Sequence, residues 1–178
     1  MTCIAGVVHR GRVYIGGDSA GVCGYDLTVR RDGEVFRNGP FVLGFTGSFR
    51  MGQLLAHAFR PSPVPKKRGA LERYMVVDFV DALRATLKER GWARKESEQE
   101  VGGHFLVGVA GRLFHVESDY QVGEARDGFD AVGCGGEAAR GALFATTNLK
   151  PEARVRMALR AAERCNAGVR GPFLVLSA

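Results

Sequence analysis

Residues 2–9 (TCIAGVVH) and 12–18 (RVYIGGD) are two strand-like runs, joined by Gly11 beside a basic residue. So short a connection marks a tight hairpin. The chain therefore opens in β structure, with Thr2 at the start of the first strand and Asp18 at the end of the second. Farther on, GEVFRNGPFVLGFTG reads as a second hairpin turning at Asn38-Gly39, a dipeptide that tolerates the positive φ of a type I′ turn. Ser48 stands where an N-cap belongs, ahead of the helical run FRMGQLLAHAF. In LERYMVVDFVDALRATLKERG the spacing predicts a second helix, with Val76, Val80, Leu83 and Leu87 on one face.

After a polar segment, GHFLVGVAGRLFHVESD reads as a hairpin around Ala110-Gly111, and YQVGEARDGFDAVGCGG supplies two more short strands. GEAARGALFATT is helical. PEARVRMALRAAERC is a further helix entered at Pro151, whose missing N–H costs nothing in a first turn, and PFLVLS closes the chain as a strand. Strands, two helices, strands, two helices and a strand fit an α+β fold, a four-layer αββα sandwich of two antiparallel sheets covered by helix pairs. At 178 residues the expectation is a single domain over 1–178.

Composition narrows the function. Apolar residues make up 46% and charged residues 25%, a globular balance, and no apolar run is long enough to span a bilayer. Without a basic region followed by an apolar one at the start, the expected setting is cytoplasmic. Cys3, Cys23, Cys134 and Cys165 form no C-x-x-C pair, and His9, His57, His104 and His115 show no ligand spacing on a common helix, so no metal or other cofactor is implied. The net charge of +6 is spread along the chain apart from Arg60, Lys66, Lys67 and Arg68 around RPSPVPKKRG. That segment reads as a solvated loop, and nucleic acid is not the expected partner. Gly133 to Ala138 matches G-x-G-x-x-A, but no parallel strand follows the helix as a dinucleotide fold requires.

If Met1 is trimmed, Thr2 carries a hydroxyl and a free α-amine together. The ordinary pKa of such an amine, about 7.7–8.0, suits a general base, so nucleophile and base would share one residue. The stretches TCIAGVVHRGRVYIGGDSAG, VFRNGPFVLGFTGSFRMGQLL and AVGCGGEAARGAL resemble the proteasome β-subunit family and its bacterial relative HslV, within the N-terminal-nucleophile hydrolases. The resemblance implies the same sandwich, a threonine nucleophile at Thr2, and self-assembly into a homo-oligomeric ring that encloses peptide or unfolded-protein substrates. It is compatible with an ATP-dependent unfoldase as a further partner. Asp18 falls on the aspartate near the nucleophile's amine and Gly44 on the glycine that offers an oxyanion donor, while Val42 and Thr46, on one face of that strand, are expected to line a specificity pocket.

Three positions depart from the family pattern. Glu34 replaces the lysine that orients the threonine, Cys134 replaces the serine of a G-S-G turn, and Asn166 replaces an aspartate at the end of the last helix. As an anion, Glu34 would stabilise the α-ammonium and hold the base protonated. Arg30 or Arg31 is the nearest cation in sequence that could neutralise it. The expectation is a weak threonine peptidase, with a noncatalytic assembly or regulatory subunit as the alternative.

Overall fold

The computed structural model describes residues 1–67, 69–96 and 99–178; Arg68, the last cation of the basic loop, lies outside them. The chain runs β1 (Cys3–His9), β2 (Arg12–Gly17), β3 (Ala20–Cys23), β4 (Asp26–Val29), β5 (Val35–Asn38) and β6 (Phe41–Phe45). Then come α1 (Phe49–His57), α2 (Ala70–Tyr74), a π-helical turn (Met75–Phe79) and α3 (Val80–Glu89). The second half comprises β7 (Arg94–Glu96), β8 (Gln99–Val101), β9 (Phe105–Val109), β10 (Arg112–Val116), β11 (Val122–Gly123), β12 (Phe129–Gly133), α4 (Gly136–Ala145), α5 (Pro151–Cys165) and β13 (Leu174–Ser177).

Two sheets carry the fold, ordered β12-β1-β2-β13 and β11-β10-β9-β6-β5, with antiparallel pairing throughout. Alternation along each strand sorts its side chains into layers. From β1, Cys3, Ala5 and Val7 face outward onto α4 and α5, where Leu143, Val155 and Leu159 complete an apolar layer. Ile4 faces inward, to a layer between the sheets that includes Ile15, Val42, Leu106 and Val132. From the second sheet Leu43, Phe45, Phe105 and Val107 meet α1 to α3 through Met51, Leu55, Phe79 and Leu83. The four layers are helix, sheet, sheet, helix, as the element order implied. Both sheets are covered on both faces, which is why β6 and β9 are buried along their whole length.

Ser48 caps α1, its side chain accepting from the N–H groups of Arg50 and Met51. The hairpins at Arg10-Gly11 and Ala110-Gly111 pair in the expected register. The turn of the β5–β6 hairpin lies one residue later than the sequence suggests: Asn38 pairs with Phe41, leaving Gly39-Pro40 as the loop, with positive φ at Gly39 alone. Asn38 Nδ2 instead donates to the carbonyls of Leu55 and Phe59 at the end of α1. Val76 is also displaced, being 45% exposed. The wider π turn rotates the register, so Met75 and Phe79 take the inner positions. Two small hairpins, β3–β4 and β7–β8, were not evident from the sequence.

Gly44 and Val42 do not occupy the positions expected of site residues. Thr46 N–H donates to His104 O in the same ladder, and alternation turns the Gly44 N–H toward its β9 partner Leu106, so it is committed to the sheet rather than to an oxyanion. Gly44 is a packing glycine: a Cβ there would overlap Ile4 Cγ2 and lie 3.1 Å from Ile15 Cγ2. Val42 does share the Gly44 face, but that face is the layer between the sheets, where Val42 is fully buried. Gly44→Ala is therefore expected to cost about 1–3 kcal/mol of stability by overpacking, read as a lower urea midpoint with an unchanged slope. Wild-type stability in that variant would overturn the packing role.

Candidate active site

Thr2 sits immediately before β1 and is 3% exposed, while Met1 ahead of it is 54% exposed. Its backbone is clasped by the turn after β12. Gly133 has a φ of 94°, and a Cβ there would strike the Thr2 carbonyl, so only glycine allows this approach. Gly135 N–H donates to the same carbonyl at 3.4 Å. The glycines of the G-x-G-x-x-A run thus accommodate the N-terminal strand.

Four of the expected site residues converge on Thr2. Its Oγ1 donates to Glu34 Oε1 at 2.8 Å. Its N–H meets Cys134 Sγ at 3.2 Å, and that thiol lies 3.2 Å from Asn166 Oδ1. Asn166 Nδ2 in turn donates to Cys134 O, and Asn166 Oδ1 accepts from Gly168 N–H. Asp18, 1% exposed, does not touch the Thr2 nitrogen. It accepts backbone N–H bonds from Cys3 at 2.8 Å, Ala20 at 3.2 Å and Arg170 at 3.1 Å, and so supports the strand that presents Thr2. Cys3 points away into the outer layer, where burial and then the charge of Asp18 push its thiol pKa up, leaving it unreactive.

Glu34 is 1% exposed, and its environment removes the charge expected of it. Burial, followed by the negative charge of Asp18, pushes its carboxyl pKa up to about 9, so with Met1 in place it is neutral at pH 7. Oε2 is buried with no hydrogen-bond partner, while Oε1 accepts from Thr2. Arg30 does not compensate. It pairs with Asp32 and stacks 3.8 Å above the Phe49 ring.

Thr2 opens into a cleft of about 340 Å³ that is also lined by Val22, Arg30, Glu34, Gly47 and Phe49. Gly47, directly before the N-cap Ser48, is a lining residue that the sequence did not single out. Thr46 Oγ1 donates to His104 O at 3.1 Å, and Thr46 lines an adjoining groove of about 420 Å³ with Gly47, Met51, Trp92 and His104.

No family model matches the sequence, and neither does any curated protein. Solved structures do match. BPH of Thiobacillus denitrificans in complex with epoxomicin superposes with a TM-score of 0.81 over 99% of this chain and 98% of that one, at 22% identity. HslV of Trypanosoma brucei gives 0.69 over 99% and 98%, at 21% identity. The chain has the HslV-like N-terminal-nucleophile hydrolase fold. A Gly-1 mutant of Anbu from Hyphomicrobium sp. strain MC1 gives 0.70 over 98% and 80%, at 17% identity. Among the described residues of this HslV-like chain, no helix is long and apolar enough to cross a membrane.

Within the HslV-like fold, the raised Glu34 pKa ties stability to pH. The neutral carboxyl stabilises the folded chain fully below its ordinary pKa of 4.5, and that contribution is lost as pH rises through about 9. Wild-type stability should therefore fall across this window by at most about 1.4 kcal/mol per pH unit from this group, and Glu34→Gln should flatten the slope. Parallel wild-type and Glu34→Gln profiles in urea denaturation would show that Glu34 is ionised when folded.

Proposed function

We propose that the chain is a proteasome-like threonine peptidase, weak at neutral pH, that cleaves unfolded peptides inside a self-assembled ring. The observation that carries this reading is the buried Thr2 hydroxyl, held 2.8 Å from Glu34 at the mouth of a cleft. Once Met1 is removed, the α-amine beside the hydroxyl acts as the base, Thr2 Oγ1 attacks the scissile carbonyl, and the amine passes its proton to the leaving nitrogen. Water then releases the acyl group. Asp18 fixes the strand, and Cys134 with Asn166 holds the Thr2 nitrogen. Gly47, in the cleft, replaces Gly44 as the proposed oxyanion donor.

Glu34 explains the weakness. A neutral carboxyl supplies none of the positive charge that would favour the alkoxide, and it draws the hydroxyl proton away from the amine. The exposed Phe144 and Met157 on the outer helices support self-association, with a homo-oligomeric ring as the assembly and an ATP-dependent unfoldase as a further partner. A second reading, a noncatalytic or regulatory subunit of the same assembly, is favoured by the same bond: the only donor on the Thr2 side chain is spent on Glu34.

Protein verified to begin at Thr2 should hydrolyse an unstructured fluorogenic peptide and take up a threonine-directed electrophile, epoxomicin being a suitable first probe; Thr2→Ala should abolish both. Hydrolysis should climb from pH 7 and level off as the pH passes the ordinary α-amine pKa of about 7.7–8.0, and Glu34→Lys should raise the rate at pH 7 at least tenfold. Robust wild-type turnover at pH 7 that Glu34→Lys abolishes would make Glu34 a working part of the site. Absence of labelling up to pH 9 with Thr2 exposed would favour the noncatalytic subunit.

A further inference from the structure

Where the β9–β10 hairpin meets β12, the two sheets present a cluster that the proposed chemistry does not use. The β9–β10 register pairs Leu106 with His115. Continued outward, it sets His104 opposite Glu117, so that His104, His115 and Glu117 share the face turned toward the first sheet. Their ligand atoms lie within 4.8 Å of one another, and among the described residues this is the one such group of three or more His, Cys, Asp or Glu. Glu117 stands between the imidazoles, Oε2 lying 2.9 Å from His104 Nδ1 and Oε1 3.4 Å from His115 Nδ1. From β12, in the other sheet, Asp130 Oδ2 reaches to 3.1 Å from His115 Nδ1.

We propose that His104, His115 and Glu117 form a binding site for a divalent transition metal of the zinc type, with Asp130 Oδ2 the nearest protein donor for a fourth position. Metal–ligand bonds of about 2.0–2.2 Å in a tetrahedral site put neighbouring donors about 3.3–3.6 Å apart, and the separations of 2.9, 3.4 and 3.1 Å, the first two to different oxygens of Glu117, lie within that range or a few tenths of an ångström below it. Two imidazoles select zinc, cobalt, nickel or copper over calcium or magnesium, which take oxygen donors. Hydrogen bonding alone serves the cluster poorly, because His115 Nδ1 faces two carboxylates and has at most one proton to give.

The spacing in sequence gave no sign of this site, because no two histidines share a helix; the hairpin brings the ligands together instead. His104 and Glu117 are 46% and 35% exposed at the side chain, leaving an approach for the ion, whereas His115 and Asp130 are 17% and 15% exposed. A bound ion would join the sheets where β10 and β12 face each other. It would also fix His104, whose carbonyl accepts both the N–H and the Oγ1–H of Thr46, and so stiffen the wall of the groove beside Gly47.

The chain contains one tryptophan, Trp92, and it lines the same groove as His104. Chelator-stripped full-length protein should therefore show saturable quenching of Trp92 fluorescence by Ni²⁺ and a visible absorption band with Co²⁺, each at one ion per chain and each reversed by Zn²⁺. His104→Ala and Glu117→Gln should weaken Co²⁺ binding at least tenfold, while His57→Ala, on α1, leaves it unchanged. Before metal is added, each variant is matched to wild type by circular dichroism and melting temperature. Glu117→Gln preserves size, and with its fold matched to wild type in this way its loss of binding reports the lost carboxylate ligand. No saturable Co²⁺ band, or a Co²⁺ isotherm unaltered by His104→Ala and Glu117→Gln, would overturn the proposal, the latter assigning the ion to the exposed thiols of Cys23, Cys134 or Cys165.

Discussion

Asp18 is the constraint on which the rest of the site depends. A carboxylate withdrawn from water is tolerated only when its oxygens are satisfied, and here the three donors come from separate parts of the chain: the first residue of β1, the turn into β3, and Arg170 in the segment before β13. Ser19 continues the clasp through Arg170 O and Pro172 O. One side chain thus fixes where the N-terminal strand begins and how the segment after α5 returns to it. Those two placements bring Thr2, Cys134 and Asn166 together.

Burial first, and then the same charge, set the state of its neighbour. With Asp18 already stabilised by backbone donors, a second carboxyl at Glu34 cannot ionise beside it at neutral pH without a further cation, and Arg30 is engaged with Asp32 and Phe49. Removing Met1 would move the α-ammonium, which already favours the ionised Glu34 from Met1, onto Thr2 itself, so the ionisation of nucleophile, base and neighbour cannot be treated separately. Where the family resemblance implies a fixed cation, this chain has a titrating group.

The architecture was legible because its signals are periodic and local. Alternation in β1, the glycine at the first turn, Ser48 before α1 and Pro151 at the start of α5 each specify one element by short-range physics. The sequence was silent where one residue shifts a register. Nothing in YMVVDF announces the π turn that exchanges Val76 for Met75, and Asn38-Gly39 reads as a turn although tertiary contacts with α1 claim Asn38. At the site, motif resemblance led to Thr2, Asp18, Glu34, Cys134 and Asn166, which do converge in space. Alternation correctly put Val42, Gly44 and Thr46 on one face, but it cannot tell a face that lines a cleft from one buried between two sheets. The raised pKa of Glu34 is not legible in the sequence for the same reason: burial is a property of the fold.

The contrast between an exposed Met1 and a buried Thr2 bears on the order of events in the cell. An enzyme that removes a terminal residue must draw the next residues into its own cleft in extended form, yet in the folded chain Thr2 is clasped by Gly133 and Gly135 and its successor is bonded to Asp18. Access to the bond after Met1 therefore requires the first strand to detach, which breaks its pairing with both β2 and β12. Removal of Met1, on the function proposed above, would therefore compete in time with folding and act most readily while the N-terminus is still unpaired.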